Sequence, residues 1–520
     1  MKAKILLGLG ASLVGLVGLG AVLASCARAE TGLQGRAKAE FADRCTSLKG
    51  RQLGGATIEK AKFVTRNSML LPVPLLNSPE FCRVTARIAP VQGSQITVEL
   101  WLPSRWNQKL VGLGGAGFEG ALSITNILMR RPVSDGYAAV ATDAGHDVDK
   151  LPKWALGHPE KIVDFGYRAN HLGAVIGKAV VAEFYGAPAK RAYFWGCSNG
   201  GRDALMLAQR YPQDFDAIAV GAPANNFTAR MAAFSQTRLD FNGDAGKGLS
   251  SKLELLNAAA IATCDGLDGV TDGLIERPDA CQFDPAQLQC KSGDSKSCLT
   301  RAEVALARSV YRGTIGRDGK QIMSGFPVGS ELGWKPPKPD QNMGTSFYRY
   351  MVFNNADWSP DTFMLDRDLA TARKKLSHVV DATDPDLSPF LGRGGKLLMY
   401  HGWDDPAIPL GDTLAYYEAV RKTVGAQNAK NAQLFLLPGV EHCGQGKGPD
   451  EFDFFAQLDR WTQSGSAPER FTVTKHDNRV AFYAQLPTKA LRTRPACAWP
   501  KAAHYKGAGS IDDANNFECR

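Results

Sequence analysis

The chain predicts an α/β architecture: a mostly parallel sheet covered by helices on both faces and interrupted by an insertion. Short β-branched and aromatic runs alternate with helical segments up to about residue 225, the alternation stops, and it resumes at Lys396. A small-residue turn, Gly196-Cys197-Ser198-Asn199-Gly200, sits where one of those strands runs into a helix.

In chain order, Ile96–Leu102, Lys109–Leu113 and Tyr137–Thr142 read as strands. Arg168–Tyr185 reads as a helix, Arg191–Trp195 as the next strand, Gly201–Arg210 as the helix behind it, and Asp216–Val220 as a further strand. Strands separated by helices point to a parallel sheet buried on both faces. From about Asn226 to Leu391 the chain becomes turn-rich and cysteine-bearing and includes the proline-rich stretch Trp334–Pro339. Lys396–Tyr400 and Gln433–Leu437 restore the strand pattern. The expected organisation is a leader over 1–26, a first part of the core over 40–225, an inserted lid over 226–391, and the second part of the core over 392–520.

The 520 residues, 44% hydrophobic and 22% charged, suffice for one large domain with an insertion, or for two domains. The net charge of +9 is spread over 61 basic and 52 acidic residues, with no long basic run and no nucleic-acid motif, so a nucleic-acid partner is not expected. Lys2 and Lys4 precede the apolar stretch Ile5–Leu23, the layout of an export signal, so the mature chain is expected in the periplasm, in the cell envelope or secreted. Leu23-Ala24-Ser25-Cys26 resembles a lipobox, in which Cys26 becomes the acylated first residue and the only membrane attachment. Cleavage after Ala27-Arg28-Ala29 and an uncleaved anchor are the alternatives.

Setting Cys26 aside from the eleven cysteines leaves an even number in an exported chain, which favours disulfides over thiol or zinc chemistry. Position suggests local closures of Cys264 with Cys281, Cys290 with Cys298 and Cys497 with Cys519, leaving Cys45 with Cys82 and the distant Cys197 with Cys443. Spacing alone leaves this connectivity open. His146, His158, His171 and His401 show no zinc-binding spacing.

A nucleophilic serine on a sharp strand-to-helix turn needs small flanking residues, which Gly196 and Gly200 supply around Ser198. His401-Gly402-Trp403-Asp404-Asp405 follows one later strand and Gly439-Val440-Glu441-His442-Cys443 the next. The resulting order of serine, aspartate and histidine is that of α/β-hydrolases, with Asp404 or Asp405 as the acid. A bond between Cys197 and Cys443 would by itself bring Ser198 and His442 within reach of each other. The Asn199 N–H is the expected first oxyanion donor. The second is expected from the glycine-rich loop Gly112–Gly120, with Gly115 the candidate. A phosphate-cradling role for that loop lacks the following Lys-Ser/Thr and the acidic ribose partner.

Cys264–Leu274 packs three carboxylates and three glycines into one loop. Hard oxygen donors at that density suit calcium, the competing reading being a solvated turn-rich loop.

Gly196–Gly201, His401–Asp405, Pro438–Cys443 and the tail Thr493–Cys497 with Tyr505-Lys506-Gly507 resemble the tannase and feruloyl esterase family of α/β-hydrolases. The resemblance covers nearly all of the mature chain. It implies that Cys197 and Cys443 join the serine and histidine, that Asp405 is the acid, and that the loop is a calcium site. Its ligands would be the side chains of Asp265, Asp268 and Asp272 with the carbonyls of Val270 and Leu274. It also implies a lid that supplies the acyl pocket, with Phe347, Tyr348, Arg349 and Trp358 as candidates, beside the alternative of ordinary lid core and surface. The expected activity is hydrolysis of aromatic acid esters of feruloyl or galloyl type. The alternatives are other aryl esters such as terephthalate monoesters, or a calcium-stabilised binding protein without turnover.

Overall fold

The computed structural model describes residues 35–65, 80–118, 120, 122, 128–146, 151–335, 341–483 and 486–520. The leader and Cys26 lie outside them. Among the described residues no helix is long and apolar enough to cross a membrane.

Ten strands among the described residues form the main sheet. They are β1 (Gln52–Leu53), β2 (Ala56–Val64), β3 (Phe81–Ile88), β4 (Ile96–Pro103), β5 (Lys109–Leu113), β6 (Ala138–Thr142), β7 (Arg191–Cys197) and β8 (Ala217–Gly221). After a small hairpin of β9 (Thr314–Ile315) and β10 (Gln321–Met323) come β11 (Lys396–Gly402) and β12 (Ala432–Leu437). The order across the sheet is β1-β2-β3-β4-β6-β5-β7-β8-β11-β12. Every neighbouring pair from β6 to β12 is parallel, and those from β1 to β6 are antiparallel.

Burial explains why the parallel part was legible. Every residue of β6 and β8 is buried, as a strand covered on both faces requires, so both read as continuous apolar runs. Alternate residues feed two cores. Val140, Phe194, Ile218 and Leu397 pack on one side, and Ala139, Tyr193, Ala219 and Leu398 on the other. Each fully buried valine, leucine, isoleucine or phenylalanine among them contributes about 1.5 to 3 kcal/mol of transfer free energy. The antiparallel extension β1–β3 was not anticipated: β2 alternates buried and exposed positions and carries three lysines or glutamates, which dilutes its apolar signal.

The described residues between β8 and β11 give no strand to the main sheet. They build their own cores around Phe347, Tyr348 and Phe363, and around Leu256, Leu299 and Trp334. The turn-rich reading of this segment left its helices out. The segment contains the helices Phe227–Asp240, Leu253–Cys264, Arg301–Arg312 and Leu365–Val380. A signal for one was present. Thr300 accepts from the Glu303 N–H and Glu303 accepts from the Thr300 N–H, a capping box written in the sequence as T-x-x-E.

Among the described residues five disulfides are formed: Cys45–Cys82, Cys197–Cys443, Cys264–Cys281, Cys290–Cys298 and Cys497–Cys519. The Cys197–Cys443 bridge spans 246 residues and ties the end of β7 to the loop after β12. Replacing both cysteines by alanine is expected to cost about 3 to 5 kcal/mol by loop-closure entropy, read by denaturant unfolding. Turnover per folded molecule should also fall, and wild-type turnover in the folded double variant would contradict a positioning role.

Candidate active site

β7 ends at Cys197, and the chain turns at Ser198 into the helix Asn199–Arg210. Ser198 has φ 62° and ψ −121°, a backbone cost of about 1 to 3 kcal/mol for a residue with a Cβ. The turn is held by its N–H, which donates to the Gly221 carbonyl at 3.0 Å, and by close backbone approach. A Cβ on Gly196 would lie 2.2 Å from the Gly200 carbonyl oxygen, and one on Gly200 2.6 Å from that of Gly115. Glycine is therefore obligatory at both positions.

β11 and β12 deliver the other two side chains. His442 Nδ1 lies 2.8 Å from Asp405 Oδ2, and His442 Nε2 lies 2.8 Å from Ser198 Oγ. An ionised Asp405 only accepts, so Nδ1–H donates to it and Nε2 accepts from the serine hydroxyl. Asp405 is 1% exposed, and its Oδ1 accepts the N–H groups of Ala407 at 2.7 Å and Ile408 at 2.9 Å. Burial would raise its carboxyl, but the His442 charge and then hydrogen bonds from His401 and His442 hold it well below the usual carboxylate range.

His401, which showed no zinc-binding spacing in the sequence, is fully buried and is a second imidazole on Asp405. Its Nε2 faces two acceptors, Asp405 Oδ2 at 3.1 Å and the Ile408 carbonyl at 3.0 Å, so that nitrogen carries the proton. Its Nδ1 meets the Thr413 hydroxyl at 2.9 Å. Asp404 lies outside this arrangement. Burial, then the Glu331 and Glu441 carboxylates, push its carboxyl up to about 7, and its Oδ1 is buried without a partner among the described residues.

The oxyanion side departs from expectation at one residue. Asn199 begins the helix, where an N–H has no intrahelical partner, and it borders the cleft. The Gly115 N–H, however, donates to Asp203 Oδ2 at 3.2 Å, and the Gly114 N–H donates to the Trp195 carbonyl at 2.9 Å. Gly115 is thus corrected from a free donor to one already engaged, because a buried carboxylate that the sequence could not place lies under the loop. The fully buried Arg202 secures that carboxylate. It donates to Asp203 Oδ1 at 2.7 Å, Asn199 Oδ1 at 2.7 Å, and the carbonyls of Gly166 at 2.7 Å and Phe165 at 3.0 Å.

Ser198 and His442 open into a cleft of about 660 Å³. Its walls are Leu128, Trp195, Phe227, Met231, Phe234, Met343, Ile408 and Tyr483, with Arg479 as its one cationic side chain among the described residues. Phe347, Tyr348, Arg349 and Trp358 do not reach it. Phe347 and Tyr348 are fully buried in the lid core, Trp358 packs against Tyr348, and Arg349 Nε donates to the Trp358 carbonyl at 3.1 Å. The first lid helix, Phe227–Asp240, supplies Phe227, Met231 and Phe234 instead, at the spacing of one helical face.

In the acidic lid loop, Asp265 accepts the N–H groups of Asp272 at 3.1 Å and Gly273 at 2.9 Å, and Asp268 accepts that of Val270 at 3.1 Å. Asp272 accepts the Leu274 N–H at 3.2 Å and pairs with Arg494 and Arg492 of the C-terminal tail. Burial, with Asp272 and Asp265 adding to it, pushes the Asp268 carboxyl up to about 6. Oxygen donors suited to calcium are thus present. Among the described residues, though, no three His, Cys, Asp or Glu side chains are gathered closely enough to hold a metal.

The sheet order and the side chains at its strand ends define an α/β-hydrolase, and comparison with known proteins makes it a carboxylic ester hydrolase. The profile of the tannase and feruloyl esterase family matches residues 82–520, and the chain belongs to that family. It is 32% identical to the mono(2-hydroxyethyl) terephthalate hydrolase of Piscinibacter sakaiensis, over 85% of each chain. It is 31% identical to a probable feruloyl esterase B-1 of Aspergillus fumigatus, over 85% of this chain and 86% of that one. The crystal structure of feruloyl esterase B from Aspergillus oryzae superposes with a TM-score of 0.83 at 29% identity, covering 92% of this chain and all of the other.

The two adjacent aspartates should separate cleanly on substitution. Asp405→Asn is expected to lower kcat by about 10⁴-fold through loss of the correct imidazole tautomer, whereas Asp404→Asn should retain turnover. Because the folded pKa of Asp404 lies above its ordinary 3.8, folding favours the protonated acid. Its contribution is full below the ordinary value and is lost as pH rises through about 7. Asp404→Asn should therefore gain melting temperature over wild type at pH 8 and lose that advantage at pH 5, as thermal unfolding at the two pH values would reveal.

Proposed function

We propose that the protein hydrolyses esters of aromatic carboxylic acids, of feruloyl or galloyl type, through an acyl-enzyme on Ser198. The observation that supports this most is an apolar, aromatic-walled cleft opening directly onto the Ser198–His442 pair. Ser198 Oγ attacks the ester carbonyl as His442 Nε2 takes its proton. Asp405 holds the imidazole and stabilises its cationic form, and His401 with the Ala407 and Ile408 N–H groups holds Asp405. The oxyanion forms beside the Asn199 N–H, a class of donor worth about 100- to 1,000-fold in kcat. His442 returns the proton to the leaving alcohol, and a water activated by the same nitrogen releases the acid.

A second reading, hydrolysis of terephthalate monoesters, draws on the named activity of the Piscinibacter relative and on Arg479 at the cleft edge. A binding protein without turnover has no use for all three side chains at these distances. The five disulfides fit an exported protein, and acylation at Cys26 is the proposed anchor. We also propose calcium in the lid through Asp265, Asp268 and Asp272 with the Val270 and Leu274 carbonyls, the ion drawing together side chains that are not gathered without it. Mutual repulsion of buried carboxylates supports that reading, and no catalytic step requires the ion.

Initial rates on methyl ferulate and methyl gallate, with Ser198→Ala as the blank, test the activity. Serine-dependent turnover of either ester is expected. Inactivity on both, in a protein that a serine-directed phosphonate still labels, would shift the substrate to other aryl esters, and failure to label would favour the binding protein. For the lid ion, chelation should lower the melting temperature and added calcium should restore it. A melting curve indifferent to both would rule out a structural role.

A further inference from the structure

Arg230 is 3% exposed on the helix Phe227–Asp240, and its side chain makes neither a hydrogen bond nor an ion pair among the described residues. The guanidinium carbon lies 3.7 Å from the ring centre of Phe234 and 5.4 Å from that of Phe326. Stacking on rings offsets only part of the cost of burying a charge. Burial lowers its pKa to about 10, so it remains cationic at neutral pH, and Asp405 and Asp412 act on it without pairing with it. Buried charges in proteins are ordinarily paired, so a cation held in this way calls for an anion that the chain does not supply.

The space beside it fits one. Arg230 lines a lid cavity of about 610 Å³, separate from the catalytic cleft, with Phe241, Phe326 and Phe363 on its walls. Arg312 and Arg317, also on the wall, are exposed and screened by solvent, Arg317 lying 3.7 Å from Asp366, so Arg230 is the buried cation of the cavity. Asp240, a further wall residue, would repel a second negative charge. One buried cation, aromatic walls and an opposing carboxylate favour an apolar monoanion over a phosphate dianion. A planar guanidinium matches a carboxylate through two parallel hydrogen bonds. Phe234, the ring under Arg230, is a wall of the catalytic cleft and not of this cavity.

We propose that this lid cavity is a second ligand site, taking a small aromatic monocarboxylate whose carboxylate pairs with Arg230. The cavity wall includes none of Ser198, His442 and Asp405; the Asp405 charge reaches Arg230, but failure to bind benzoate there would leave the ester-hydrolase reading untouched.

Benzoate is the probe, followed by calorimetry and by thermal unfolding of the full protein, with inorganic phosphate titrated in parallel. Arg230→Met removes the charge and retains the stem. Ser309→Trp fills the cavity from the helix Arg301–Arg312 and leaves Arg230 in place. The expected result is a benzoate-binding event that each variant weakens by about tenfold or more. Benzoate should raise the melting temperature of wild type and not of Arg230→Met, and unliganded Arg230→Met should melt above unliganded wild type, since a lone buried charge is gone. Three results would overturn the proposal: no benzoate uptake by wild type, uptake that both folded variants retain undiminished, or Arg230-dependent binding of phosphate in place of benzoate.

Discussion

The close approach of three backbone segments beneath Ser198 is the constraint on which the rest of the site depends. The end of β7, the start of the following helix and the glycine-rich loop after β5 meet so tightly that a single methyl group at Gly196 or Gly200 would overlap a carbonyl oxygen. That contact holds Ser198 in a backbone conformation it would not adopt alone. The cost is absorbed by the parallel strands on either side, whose fully buried side chains fix the ends of β5, β7 and β8 relative to one another.

Around this turn the charges are arranged in two layers. The inner layer is Ser198, His442 and Asp405, each within 2.8 Å of the next. The outer layer keeps each member in place. His401 and two backbone N–H groups fix Asp405, and Arg202 and Asp203 fix Asn199 and the glycine-rich loop. Arg479 Nη2 donates to the Cys443 carbonyl at 2.6 Å, bracing the residue beside His442 that the disulfide already holds. A fixed environment of this kind keeps the imidazole oriented without reorganisation when charge develops on it.

The lid divides its labour along one helix. Phe227, Met231 and Phe234 of Phe227–Asp240 close the catalytic cleft, while Arg230 on the adjoining face looks into the lid's own cavity. The C-terminal tail reaches the lid from the other side, through Arg492 and Arg494 on Asp272 and through a small core that Val270 shares with Cys497, Ala503 and Phe517.

By itself the sequence determined the parallel sheet, the turn at Ser198, the order of serine, aspartate and histidine, and an even set of cysteines. These features are local: continuous apolar runs follow from burial on both faces, and glycines at fixed offsets follow from one sharp turn. The choice between Asp404 and Asp405 needed the resemblance of the motif to its family, because two adjacent carboxylates look alike until their surroundings are known. Tertiary structure alone decided that Gly115 gives its N–H to Asp203, that His401 is a partner of Asp405, and that the cleft is lined by the first lid helix rather than by Phe347, Tyr348, Arg349 and Trp358. In each case the deciding contact joins residues from different elements, and an aromatic or acidic residue reads the same in sequence whether it faces a core, a carboxylate or a ligand.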